Sequence, residues 1–128
     1  MIQIDQVNFI PNLPYAKSSL VELTRHSYDD LSKSDEIYVA REGSTPLFCI
    51  GIYRATLTSQ PYVWLLACEA LSWKHMRELR ICFKELAPSA MWALVKDEPS
   101  IRKFAQFFGM RQVKVNQVGQ DTYLMMER

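Results

Sequence analysis

A single mixed α/β domain is predicted for this chain, on three observations. The runs Leu47 to Leu57, Tyr62 to Cys68 and Ala90 to Val95 are apolar without the alternation of a half-exposed strand, so they read as strands covered on both faces. The segments after the second and third of these runs repeat apolar residues at helical spacing, which makes a strand–helix–strand–helix succession. The chain has 128 residues, 48% of them apolar and 12% aromatic, enough for one sizeable core without a second domain.

The elements follow in order. Ile2, Ile4 and Val7 nearly alternate with polar residues, predicting a first strand from Ile2 to Phe9. Pro11 and Pro14 then interrupt. From Tyr15 to Arg25, Ala16, Leu20 and Leu23 share one helical face, and the polar stretch Tyr28 to Asp35 holds a short helical turn. Glu36 to Arg41 is the second strand, and Gly43-Ser44-Thr45-Pro46 is a turn whose glycine supplies a positive φ. Leu47 to Leu57 is the third strand, with Gly51 marking a bulge or a close neighbour.

After the turn Thr58 to Pro61, Tyr62 to Cys68 is the fourth strand. The helix behind it has Trp73, Met76, Leu79, Phe83 and Leu86 as a buried stripe, Ser72 as N-cap and Pro88 just past its end. Ala90 to Val95 is the fifth strand. Asp97 or Glu98 caps the next helix, Pro99 fits its first turn, and Ile101, Phe104, Ala105 and Phe108 form its buried face. Gly109 ends it as a left-handed residue. Met110 to Val118, the turn Gly119-Gln120 and Thr122 to Met126 close the chain as two strands. The order is β-α-α-β-β-β-α-β-α-β-β, with the fourth and fifth strands parallel across a right-handed helical crossover.

Composition narrows the functional classes. A net charge of +1 makes neither nucleic acid nor an anionic membrane a default partner. No apolar run is long enough to span a membrane. MIQIDQVNF lacks the basic start and apolar block of a signal peptide. Cys49, Cys68 and Cys82, odd in number and in mostly apolar settings, suit a reducing compartment such as the cytoplasm. With two histidines, His26 and His75, and no Cys-x-x-Cys, no metal-site spacing is present.

The element order resembles that of the GNAT (Gcn5-related N-acetyltransferase) fold over nearly the whole chain. In residues the resemblance lies in the last third, MWALVKDEPSIRKFAQFFGMRQVKVNQVGQDTYLMMER, where Phe104 and Gly109-Met110 match the helix end and Val113 to Met126 the closing hairpin. The stretch VWLLACEALSWKHMRELRICFKEL, followed by a strand and IRKFAQFFG, is similar to the small GNAT-like proteins of T7-like bacteriophages, the internal virion protein A type. That narrower resemblance implies a role in virion structure or assembly, with virion or host proteins as partners.

The wider family implies an acetyl-CoA site in a V-shaped gap between the fourth and fifth strands, and three departures bear on it. The family's Gln/Arg-x-x-Gly-x-Gly/Ala signature, whose loop N–H groups bind the cofactor pyrophosphate, has no counterpart, because no glycine lies between Gly51 and Gly109. The tyrosine that protonates the leaving thiolate is replaced by Ala105, and the asparagine usual before that helix is absent from Lys96-Asp97-Glu98.

Two functional expectations follow. In the first, the chain is a GNAT-like pseudoenzyme with a degenerate acetyl-CoA site and no cofactor, acting through protein contacts. In the second, it is an acetyl-CoA-dependent N-acetyltransferase with a divergent loop. Ser72, Lys74 and His75 would then grip phosphate, backbone groups of Leu66, Ala67 and Cys68 would pair the pantetheine arm, and Glu69 would take a proton from an amine. Against these stand plainer readings. Glu69 is a solvated loop residue near a helix start, and Arg77, Arg80 and Lys84 are the wet face of an amphipathic helix or a contact for an anionic partner. Trp64, Trp73 and Trp92 are core packing, and Phe107, displaced from the Phe104–Phe108 face, reaches a subunit or partner surface. A Cys68–His75 dyad is a further, weaker nucleophile reading.

Overall fold

The structure is a computed structural model that describes residues 2–16, 33–54, 61–86, 91–96, 99–118 and 121–127. Seven strands form one sheet: β1 (Ile2–Val7), β2 (Glu36–Glu42), β3 (Thr45–Tyr53), β4 (Tyr62–Ala67), β5 (Trp92–Lys96), β6 (Arg111–Val118) and β7 (Asp121–Glu127). Two α-helices are described, α1 (Met76–Leu86), entered through a 3₁₀ turn at Trp73–His75, and α2 (Pro99–Phe107). The strand order is β1-β2-β3-β4-β5-β7-β6, antiparallel throughout except for the β4/β5 pair. The parallel pair brackets α1, as a strand–helix–strand crossover demands.

Local chemistry accounts for the bends. Glu42 pairs with Thr45 across the two-residue loop Gly43-Ser44, with Gly43 at φ 61°, the positive angle that the first position of a tight hairpin turn of this kind requires. Gly109 takes φ 82° at the end of α2, where Met110 N–H donates back to Ala105 O at 3.2 Å.

Two apolar clusters cover the two faces of the sheet. One joins Ile2, Ala40, Phe48, Ile50, Ile52 and Val63 to Met76 and Leu79 of α1 and to Ala105 and Phe108 of α2. The other joins Ile37, Val39, Cys49, Trp64, Leu66 and Cys68 to Ile10 and Tyr15. Burial on both faces is why β3 and β4 read as unbroken apolar runs. Gly51 marks a close neighbour and no bulge. It lies opposite Trp64, and a Cβ there would stand 2.0–2.4 Å from the indole. The bulge sits instead at Ala40/Arg41 of β2.

Several boundaries differ from expectation. Tyr15 is extended and bridges to Cys68, so no helix begins there, while the rest of that expected helix and most of the 28–35 turn lie outside the described residues. Strand β3 starts two residues early and ends at Tyr53; 55–57 are outside the described residues. Trp73 is 54% exposed, although its spacing placed it on the buried stripe. The 3₁₀ turn rotates it off that stripe and turns His75 inward. Phe107 is half-buried, edge-on to Phe108 and beneath the Arg80 guanidinium at 5.3 Å, so it faces α1 and not an outer partner surface. The side chains of Cys82, Phe83, Leu86, Trp92, Ile101 and Phe104, and the capping pair Asp97-Glu98, are outside what is described.

Candidate functional site

Strands β4 and β5 are in register at a single pair, Tyr62 with Trp92. Beyond it they diverge, which opens a gap toward their C-terminal ends, the place where an open α/β sheet binds ligands. Leu66 to His75 line the β4 side of this opening and the approach to α1.

The last residues of β4 are already bonded on both edges. Toward β3, Leu66 lies opposite Cys49 and Cys68 N–H donates to Leu47 O at 2.8 Å. Since strand residues alternate edges, Ala67 and Glu69 turn their groups the other way, toward the gap. There Ala16 N–H donates to Ala67 O at 2.8 Å, and Glu69 N–H donates to Pro14 O at 2.9 Å. The Pro14–Ala16 segment thus straps the edge of β4 as a short antiparallel partner. Its anchor is Tyr15, buried among Cys49, Trp64, Leu66 and Cys68, whose hydroxyl donates to Pro11 O at 2.7 Å. The prolines at 11 and 14 suit this path, since proline favours extended chain and disfavours helix before it.

The turn between β4 and α1 is equally self-contained. Leu71 N–H donates to Cys68 O at 3.1 Å, and His75 N–H donates to Ser72 O at 3.0 Å. Ser72, extended at φ −141°, gives its own N–H to His75 Nδ1 at 3.1 Å. An accepting Nδ1 places the ring proton on Nε2, which faces Glu42 Oε1 at 3.7 Å. His75 is 5% exposed and is the one buried polar side chain among the described residues. It caps the helix as the glutamate of a capping box does, three residues after a serine.

The expected site residues lie at the end of β4 and in this turn. The main-chain N–H groups of Glu69, Leu71, Ser72 and His75 each have a partner within the protein, and every residue of the turn carries a Cβ. Those four groups are therefore not presented to a coenzyme A pyrophosphate as the turn stands, and a phosphate held by main-chain N–H groups would have to rely on the others of the turn. His75, expected to grip phosphate, is turned inward as a cap. Ser72 is exposed but bonded to it, and Lys74 is exposed with no bond to the turn among the described residues. Backbone pairing of a pantetheine arm at Ala67–Glu69 would require the strap to move aside. Glu69 is exposed, and its main-chain N–H is bonded to Pro14 O. Burial pushes the Cys68 thiol up to about 11 and the Cys49 thiol up to about 12, so neither is a thiolate at neutral pH, and the His75 ring is committed elsewhere. Among the described residues no group of three His, Cys, Asp or Glu could hold a metal ion, and no helix is long and apolar enough to cross a membrane.

The strap and the role of His75 were not anticipated. Ser72-x-x-His75 carries the spacing of a capping pair and was open to that reading. Nothing in Pro14-Tyr15-Ala16 marks it as a strand partner of residues fifty positions away.

No protein-family model and no curated protein matches the sequence. Solved structures do match. An IAA acetyltransferase from Bacillus cereus superposes with a TM-score of 0.69 at 14% identity, covering 99% of this chain and 98% of that one. A Bacillus subtilis acetyltransferase in complex with CoA gives 0.66 at 12%, covering 99% and 97%. A GNAT family acetyltransferase from Elizabethkingia anophelis with acetyl-CoA bound gives 0.58 at 12%, covering 98% and 96%. At such identities the likeness concerns the fold, and the chain has the GNAT fold.

Proposed function

We propose that this chain is a GNAT-fold protein that acts through protein contacts and not by acetyl transfer, in the manner of the small GNAT-like virion proteins of T7-like phages. The observation that carries this reading is the bonding of the β4–α1 turn. The Ser72 N–H is bonded here to the His75 ring, and the Ala67–Glu69 edge of β4, which a GNAT enzyme would offer to its cofactor, is bonded to Pro14–Ala16. The loss of the loop glycines and the alanine at position 105 point the same way. The phage assignment is supported by the sequence resemblance of VWLLACEALSWKHMRELRICFKEL and IRKFAQFFG.

The competing reading is an acetyl-CoA-dependent N-acetyltransferase. It is favoured by the divergence of β4 from β5 and by the cofactor-bound structures among the fold's relatives. Thermal unfolding with and without millimolar acetyl-CoA separates the two. A ligand at about 100 times its dissociation constant stabilises the fold by about 2.7 kcal/mol, which raises the midpoint of a domain this size by roughly 5–10 °C. The proposal expects no shift. A shift of that size, absent with adenosine, restores the enzyme reading.

A further inference from the structure

The outward face of α1 differs from an ordinary wet helix face. Trp73, Arg77, Arg80, Ile81 and Lys84 recur at three- and four-residue spacing on the side away from buried Met76 and Leu79. Two of them are large and apolar, with Trp73 54% and Ile81 60% exposed. The rest are cations, and among the described residues no carboxylate pairs with Arg77 or Lys84. Of the two acids on α1, Glu78 Oε2 accepts the Ile2 N–H at 2.8 Å, while Glu85 is exposed beside Lys84 and makes no ion pair with the stripe among the described residues. The neighbouring helix adds a cation, since Lys103 Nζ lies 5.4 Å from the centre of the Trp73 ring. Arg80 is fixed against Phe107. The stripe therefore carries three cations, has Trp73 and Arg80 held by contacts, and is interrupted by two apolar side chains about two helical turns apart.

We propose that this stripe of Trp73, Arg77, Ile81 and Lys84 is a docking surface for an acidic amphipathic protein segment, an inference that rests on the reading of the chain as a protein-contact module. The charge selects carboxylates. The apolar pair selects a protein over a nucleic acid: an indole stacks on a base, but an isoleucine in the middle of the stripe gains nothing from a phosphate backbone and loses water only against an apolar side chain. Tryptophan and arginine, here Trp73 and Arg77 about one helical turn apart, are also residue types enriched among those that dominate protein interfaces.

The test selects binders from a random peptide library against the full chain, then measures them by calorimetry against the native chain and the exposed-site variants Arg77→Glu, Ile81→Ala and Lys84→Glu, whose unfolding midpoints are checked first. The expected binders are rich in Asp and Glu with at least two large apolar residues. Each charge reversal is expected to weaken them about tenfold or more, Ile81→Ala to weaken them severalfold, and added salt to weaken them further. An empty selection overturns the proposal, as do binders without acidic enrichment, or affinities unmoved by all three variants. A mixed-sequence single-stranded oligonucleotide binding more tightly than any peptide, with the same variants abolishing it, assigns the stripe to nucleic acid instead. Acetyl-CoA is titrated in parallel: heat from it would overturn the non-enzymatic reading without touching the stripe, whereas peptide failure alone leaves that reading in place.

Discussion

The Ser72 main-chain N–H donates to Nδ1 of His75 at 3.1 Å, so the 3₁₀ turn that leads into α1 is closed by one of its own side chains. A helix start leaves several N–H groups without intrahelical partners. Here the ring holds one of them, that of Ser72. His75→Ala is expected to lower stability by about 2–3 kcal/mol, from the lost cap and the space left by a buried ring. The measurement is the urea midpoint with unchanged slope; a change under about 0.5 kcal/mol would show that the ring is not holding the helix.

Gly51 and Trp64 make a second test. The indole lies where the Cβ of any other residue at 51 would be, at 2.0–2.4 Å. Gly51→Ala is expected to cost about 1–3 kcal/mol. Most of that cost should vanish in a Trp64→Leu background, because the clash is with the ring and not with the backbone. Equal costs in both backgrounds would place the strain elsewhere.

The strap predicts a pattern of amide protection. Ala16 and Glu69 N–H groups are bonded across it and should exchange slowly with solvent, together with their neighbours in β4. Tyr15→Ala removes its anchor, and both amides are then expected to exchange at least tenfold faster while the β2/β3 ladder keeps its protection. Fast exchange of Glu69 in the native chain would mean that the edge is open.

The buried thiols give a pH dependence with a definite sign. An unfolded cysteine ionises near its ordinary value of 9.0, while burial holds Cys68 protonated to about 11 and Cys49 to about 12. The folded state therefore binds more protons than the unfolded one above about pH 9, and its stability should fall as pH rises from there through the folded values. In a Cys82→Ser background, iodoacetamide at about pH 8 should leave both thiols unmodified until the chain is unfolded. Rapid labelling of the native chain would contradict their burial.

The architecture was legible because burial leaves a strong trace. Both-face coverage made Leu47–Ile52 and Val63–Cys68 read as strands, and Gly43, Pro99 and Gly109 marked element ends through backbone geometry that few other residues satisfy. The site was less legible. Trp73 obeyed the helical period on paper, but a 3₁₀ start shifts the phase by a fraction of a turn, enough to expose it and bury His75. The strap escaped entirely: a three-residue backbone pairing uses main-chain groups, which every residue has, and so leaves no compositional mark. The missing glycines were visible, but not that a histidine and a strand partner would hold the groups those glycines expose elsewhere in the fold.

The proposed function rests on the N–H groups of Glu69, Leu71, Ser72 and His75 being held within the protein and not offered to a cofactor. The most direct measurement follows the backbone amide resonances of Cys68 to Met76 by NMR while acetyl-CoA is added to millimolar concentration. The account expects these resonances to stay where they are, in the native chain and in Lys74→Ala alike. Saturable shifts at Glu69, Ser72 and His75, accompanied by loss of the Ala16 protection, would show that the cofactor displaces both the ring and the strap, and the account would be wrong.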